Sequence, residues 1–215
     1  MLHILRHIAF YITLSLLLSS CTTIKGIKGV SCHLADTISQ SDLHLASIYH
    51  STIGCGDTIG NTDRYLEEIM QLEIETGIIY IRTVLDKEYN IKSMYVYDDN
   101  RSLLYCNFKF ISDSEYNSVP IGREYNFNSQ GDITEVINHE EGYSICHKQA
   151  IYIGDRYSKQ KASKEYPRRI LDRGEWQGRK VWEYHYTDRK KRNKMLVIDG
   201  NSGKILKKKD VFVTY

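Results

Sequence analysis

Between Tyr65 and Asn138 apolar and polar side chains alternate with the period of two that a half-buried strand requires. The alternation predicts strands over Tyr65 to Glu75, Gly77 to Leu85, Asn90 to Tyr97, Arg101 to Ile111, Arg123 to Phe127 and Asp132 to Asn138. Asp98-Asp99-Asn100 and Asn128-Ser129-Gln130-Gly131 separate neighbours as hairpin turns do, which reads as an antiparallel meander. The period becomes helical over Ser144 to Ser158, where Cys146, Ala150, Ile153 and Tyr157 form one stripe, although Gly154 costs about 1 kcal/mol there. Strands resume at Arg168 to Trp176, Arg179 to Thr187, Asn193 to Asp199 and Lys204 to Val213, with turns at Gln177-Gly178, Asp188 to Arg192 and Gly200 to Gly203. Trp182, Tyr184 and Tyr186 share one face of their strand, and that aromatic face is the expected core side; Val181, Glu183 and His185 point the other way. Before Tyr65 the pattern weakens: it admits a short helix around Asp42 to His50 and a Gly-rich turn at Gly54-Cys55-Gly56. The fold class is therefore α+β, mostly antiparallel sheet built from a meander and hairpins, with one main helix covering a face.

The N-terminus follows a different rule. Arg6 precedes an apolar run of eleven residues, Ile8 to Leu18. A spanning helix takes about twenty, so this length suits a secretory signal over residues 1–20. The run ends in Leu18-Ser19-Ser20-Cys21, which resembles the bacterial lipobox. That resemblance implies cleavage before Cys21 and acylation of that residue, making the lipid bilayer a partner. At about 0.8 kcal/mol per buried methylene, two or three acyl chains anchor stably. Residues 21–30 read as a short tether. No Asp follows Cys21 and no acidic stretch is present, which by similarity to lipoprotein sorting signals implies the outer membrane, facing the periplasm.

Four further cysteines, Cys32, Cys55, Cys106 and Cys146, suit two disulfides in an oxidising compartment. Locality and side-chain direction favour Cys32 with Cys55 and Cys106 with Cys146, since Cys106 alternates onto the face of Leu104, Phe108 and Phe110. Zinc would have to recruit His33, His44, His50 and Cys55, but no CxxC or HxxxH spacing supports a metal site.

At 41% hydrophobic and 26% charged residues, with two Pro and 14 Gly, the composition excludes collagen, low-complexity disorder and a polytopic membrane protein. The near-neutral total of +2 hides a polarised chain. Residues 21–155 carry 10 basic and 20 acidic side chains, whereas residues 156–215 carry 18 basic and 7 acidic. Basic clusters fall at Lys159, Lys161 and Lys164, at Arg168-Arg169, at Arg189-Lys190-Lys191-Arg192 and at Lys207-Lys208-Lys209. These charges could dock on the acidic half, steer an acidic protein partner, or meet anionic headgroups. Nucleic acid suits the sign of the charge but not an exported protein.

Catalytic signatures fail individually. His139-Glu140-Glu141-Gly142-Tyr143 starts like a zincin helix, but position 143 is not His. Ser202 has no nucleophile elbow, and Gly54 to Gly60 lacks dinucleotide-loop spacing. The expectation is a protein that is not an enzyme and has no implied cofactor. Seventeen tyrosines suit an interface, with Tyr95, Tyr97 and Tyr105 on adjacent strands as a candidate exposed aromatic strip, the alternative being half-buried sheet packing.

Residues 144–215, as a helix plus β-hairpins ending in Leu196-Val197-Ile198-Asp199-Gly200-Asn201-Ser202-Gly203-Lys204-Ile205-Leu206, resemble the PepSY family of small secreted domains. The same stretch is similar to the tail of NTF2-fold bacterial immunity proteins. Residues 31–143 form a β-rich N-terminal region before it. The resemblance implies a non-catalytic inhibitor of an envelope enzyme, or an immunity protein against a toxin or effector. Arg189, Lys190, Lys191 and Arg192, with Tyr95 and Tyr97, are the expected partner-binding residues. The alternative is a structural envelope lipoprotein that binds lipid or glycan.

Overall fold

The computed structural model describes residues 30–32, 37–46, 54, 56–112, 117–165 and 169–211. Among them twelve strands form two antiparallel sheets around one helix. The larger sheet runs in the order β1 (Gly56–Asn61), β2 (Tyr65–Ile74), β3 (Gly77–Asp86), β4 (Ile91–Tyr97), β5 (Leu103–Ile111), β7 (Arg123–Phe127), β8 (Ile133–Asn138). The short β6 (Ser118–Pro120) shares the β7 edge of β5. The smaller sheet is a second meander of β9 (Arg169–Trp176), β10 (Arg179–Thr187), β11 (Asn193–Asp199) and β12 (Ile205–Asp210). The helix α1 (His147–Ser158) connects the two. The protein is thus mostly antiparallel sheet, as the alternation requires, and broadly α+β.

The strands read from alternation form nearly over their expected lengths, except that the last spans Ile205–Asp210 and not Lys204 to Val213, of which residues 212–213 lie outside the described residues. Those that alternation does not show are the edge strand β1, whose Gly-Asp-Thr-Ile-Gly-Asn carries little apolar signal, and β6, only three residues long. The segment from Asp42 is not a helix: a single 3-10 turn spans Gln40–Asp42, and His44 then bridges to Ser102. Residues 47–50 lie outside the described residues. The helix starts at His147 rather than Ser144, because Ser144 and Ile145 donate their N–H groups to the carbonyl of Gly200 instead.

Register details decide what is buried. Opposite β4, the pairs Val96 with Tyr105 and Tyr97 with Leu103 leave Leu104 as an extra residue. This bulge turns Leu103 inward, so Leu103 and not Leu104 is fully buried. Gly122 at φ +65° gives the corresponding kink between β6 and β7, a conformation that favours glycine.

One apolar cluster joins both sheets and the helix. It includes Ile69, Tyr97 and Phe108 from the larger sheet, Ala150 from α1, and Trp182 and Leu196 from the smaller one. The aromatic face of β10 is the core side: Trp182, Tyr184 and Tyr186 are all buried. Trp182 donates its indole N–H to the carbonyl of Ile145 at 2.7 Å, and Tyr184 donates its hydroxyl to Asp155 at 2.6 Å. The helix is wedged between the layers, its His147 ring 4.7 Å from Phe110 of β5 and its Gly154 against the Tyr184 ring. The opposite face of β10 is not wholly polar, since Val181 packs with Met195 and Val197 under Trp176.

Candidate partner-binding surface

The basic segments of the last third meet at one end of the smaller sheet. Two features place them there. The β10–β11 turn is closed by Asp188, whose carboxylate accepts the backbone N–H groups of Lys190 at 2.8 Å and Arg192 at 2.9 Å and the Arg192 Nε–H at 2.9 Å. Lys191 adopts φ +59° to complete the turn. The segment after α1 then docks on this turn by main chain: Ser163 donates to Thr187 at 2.8 Å and Arg189 to Lys161 at 2.9 Å. On the far side Lys208 of β12 pairs with Leu196 of β11. Lys161 and Lys208 both reach the ring of Tyr157, their Nζ atoms 3.3 and 4.6 Å from its centroid.

The four residues expected to carry recognition divide. Arg192 is committed to Asp188, with Nη2 at 2.8 Å, and Lys191 sits 3.5 Å from Glu165. Arg189 and Lys190 make no ion pair with a described residue, and neither do Lys161 and Lys208. Burial by itself would raise the Asp188 carboxyl, but its hydrogen bonds from Arg192 and Lys190 hold it below the usual carboxylate range. Asp199, in the β11–β12 turn, is lowered in the same way against burial, by hydrogen bonds from Ser202 and Asn201.

The tyrosine strip is corrected. Tyr95 and Tyr97 lie in the shared core, 7% and 0% exposed, because the register of β4 turns both onto the face that packs beneath the 3-10 turn. Burial pushes the Tyr97 hydroxyl up to about 12 and the Tyr95 hydroxyl up as well. Tyr105 is half-buried and takes a hydrogen bond from Asn107 at 2.7 Å. Below the tyrosines Arg82 is clamped between Asp42 at 2.9 Å and Glu67 at 2.5 Å.

The disulfide pairing is also corrected. Cys146 bonds Cys32, with Cα atoms 6.1 Å apart, and Cys106 is a free, buried thiol. Both Cys106 and Cys146 point inward, as parity requires, but to different places. Cys106 looks toward Tyr95 and the Arg82–Asp42 pair, whereas Cys146 caps α1 beside Val30, whose carbonyl accepts the Gln149 amide at 3.4 Å. Burial pushes the Cys106 thiol up to about 12. Cys55 lies outside the described residues, as do Cys21, the signal segment 1–20, the tether through residue 29, His33, His50 and Arg168. Among the described residues no group of three His, Cys, Asp or Glu side chains could hold a metal ion, and no helix is long and apolar enough to cross a membrane.

A second feature lies where the two sheets meet, an open cleft of about 700 Å³ lined by His139, Glu141, Tyr143, Arg173 and Lys180 among others. Arg173 is stacked 4.4 Å from both Tyr143 and Trp182 and bonds the carboxylate of Glu140 at 2.5 Å and the carbonyl of Pro120 at 2.9 Å. His139 lies 3.1 Å from Glu124. The cleft places no Ser, Thr or Cys nucleophile beside that pair. Arg173 serves as the joint between the sheets, a role invisible in a sequence that offers only an Arg in an otherwise ordinary strand.

No family model, curated protein or solved structure matches this chain.

Proposed function

We propose that this chain is a bilayer-anchored envelope lipoprotein of the outer membrane, facing the periplasm, that acts without catalysis by binding and inhibiting or neutralising an acidic protein partner. The observation that carries this reading is how the charges are used. The acidic and basic parts of the chain share an aromatic core, and few of their opposite charges meet. Among the described residues only Arg173 with Glu140 and Arg169 with Asp155 pair a cation of residues 156–215 with an acid of residues 21–155. The positive end of the smaller sheet is therefore left for something outside the molecule.

Two further observations support the reading. A Cys32–Cys146 bond suits an oxidising compartment. Cys146, which fastens the segment nearest the proposed anchor, and Lys159 and Lys161 stand at opposite ends of α1, separated by about 18 Å of helix rise. That separation favours a partner in the surrounding space over the headgroups beneath the anchor.

The test is capture from envelope extracts at low and high salt with the wild-type chain and with Arg189→Gln/Lys190→Gln. The expected result is an acidic protein held at low salt, released at high salt, and lost in the variant. Recovery of no protein at either salt concentration overturns the proposal. Sedimentation of unacylated protein with anionic liposomes, in the absence of any protein partner, would instead establish the lipid-binding alternative.

A further inference from the structure

We propose that Tyr157, Lys161 and Lys208 form a seat for one oxyanion, supplied as an Asp or Glu carboxylate of the partner. This rests on the acidic-partner reading above and names the point at which that partner is gripped.

The three residues are brought together by the fold and not by sequence. Tyr157 lies in the last turn of α1, Lys161 follows it by one turn, and Lys208 comes from β12. Both ammonium groups lie within 5 Å of the same ring centroid, at 3.3 and 4.6 Å, and so sit no more than about 8 Å from each other. Both lysines are exposed, and neither has an ion-pair partner among the described residues. Their neighbours are different: Lys191 has Glu165, Arg192 has Asp188, and Lys194 has Asp188 and Asp210. The carboxylates of these neighbours, Glu165, Asp188 and Asp210, are thus already engaged, and Tyr186 lies buried beneath.

Two like charges within about 8 Å of each other and without a counterion repel, and an arriving oxyanion removes that repulsion. The Tyr157 hydroxyl offers a donor beside them. Burial by itself would raise that phenol, but Lys208 and Lys161 hold it below its ordinary range, the sign of a positive local potential. Ammonium groups act as point charges and not as a planar fork, so a carboxylate and a phosphate share the required chemistry. A protein carboxylate is the source assigned here because the seat stands at the end of α1 remote from Cys32–Cys146.

The seat can be read directly through Tyr157. The full-length protein, labelled with carbon-13 at tyrosine Cζ, is titrated with base, and the Tyr157 signal is assigned by its disappearance in Tyr157→Phe. Added hexaglutamate is expected to move the Tyr157 midpoint upward, since a bound anion cancels the lysine field. The shift should vanish in Lys161→Gln/Lys208→Gln, with affinity for hexaglutamate falling by about tenfold or more. Both substituted lysines are solvent-exposed, and the unchanged signals of the buried tyrosines verify that the variant is folded. A shift produced by inorganic phosphate and not by hexaglutamate overturns the carboxylate assignment; no shift with either overturns the seat. Salt-sensitive capture of an acidic protein that is unaltered in the double variant also overturns the seat while leaving the acidic-partner reading intact. That reading falls only if the wild type captures nothing.

Discussion

Gly154 is the residue whose meaning changes most between the sequence and the fold. Read locally, it is a helix defect of about 1 kcal/mol, and Gly→Ala should repair it. In the fold a Cβ built at this position would lie 2.4 Å from two atoms of the Tyr184 ring, which is itself buried and tied to Asp155. A ring in that position cannot move without displacing its own hydrogen bond. Gly154→Ala should therefore destabilise by about 1 to 3 kcal/mol net, the usual cost of overpacking, as measured by denaturant unfolding of folded protein. A variant more stable than wild type would show that helix propensity outweighs the contact. The period-3.6 stripe placed Ala150 on the buried side but could not show that the helix approaches β10 so closely, because the partner lies 30 residues away in sequence. Tyr95 and Tyr97 failed as surface residues for the same reason: alternation says which residues share a face, not what covers it.

At the scale of strands and turns the chain was largely legible. Long alternating segments bounded by Gly, Asn and Asp gave strands within a residue or two, since pattern and turn chemistry agree there; the exception is the last, which ends at Asp210 short of the expected Val213. What escaped was a bulge at Leu104, an edge strand with little apolar content and a three-residue strand, all set by pairing with neighbours and not by their own composition. The turns of the smaller sheet carry a testable charge effect. Asp188 and Asp199 both have folded-state values held below those of a free carboxylate, about 3.9, by hydrogen bonds from their own turns. A depressed value means the stabilisation is complete above the unfolded value and is lost as pH falls through the folded one. Acidification below about pH 4 should thus weaken this sheet. Asp188→Asn should be less stable than wild type at pH 7, and the difference should shrink as the pH is lowered, in thermal melts followed by circular dichroism. A stability gap that stays constant or widens at acid pH would contradict the assignment.

For the molecule as a whole, the charge asymmetry was legible from counting alone, while the joint between the sheets was not. The expected boundary near residue 143 falls between β8 and α1, yet residues on both sides enter one apolar cluster, and Arg173 clasps Glu140 and Pro120 across it. The Cys32–Cys146 bond adds a covalent tie over a separation of 114 residues, linking a segment ahead of the larger sheet to the start of α1. A loop of that length restricts the unfolded chain strongly, so losing the bond should cost about 2 to 5 kcal/mol. Because the core is shared, that loss should appear as a lowered midpoint of a single transition, with both sheets melting together. Two substitutions separate the bond from its surroundings. Cys146→Ser breaks the bridge while placing a favoured residue at the helix N-cap, and Cys32→Ser breaks it from the other end. Equal destabilisation of the two variants, matched by wild type under reducing conditions, is the expected outcome of equilibrium unfolding followed by tryptophan fluorescence. Trp176 and Trp182 both report the smaller sheet, while far-UV ellipticity follows α1 and the strands of the larger sheet. Two resolved transitions, with the bridge affecting only one, would mean that the sheets fold independently and that the aromatic core is an interface between domains.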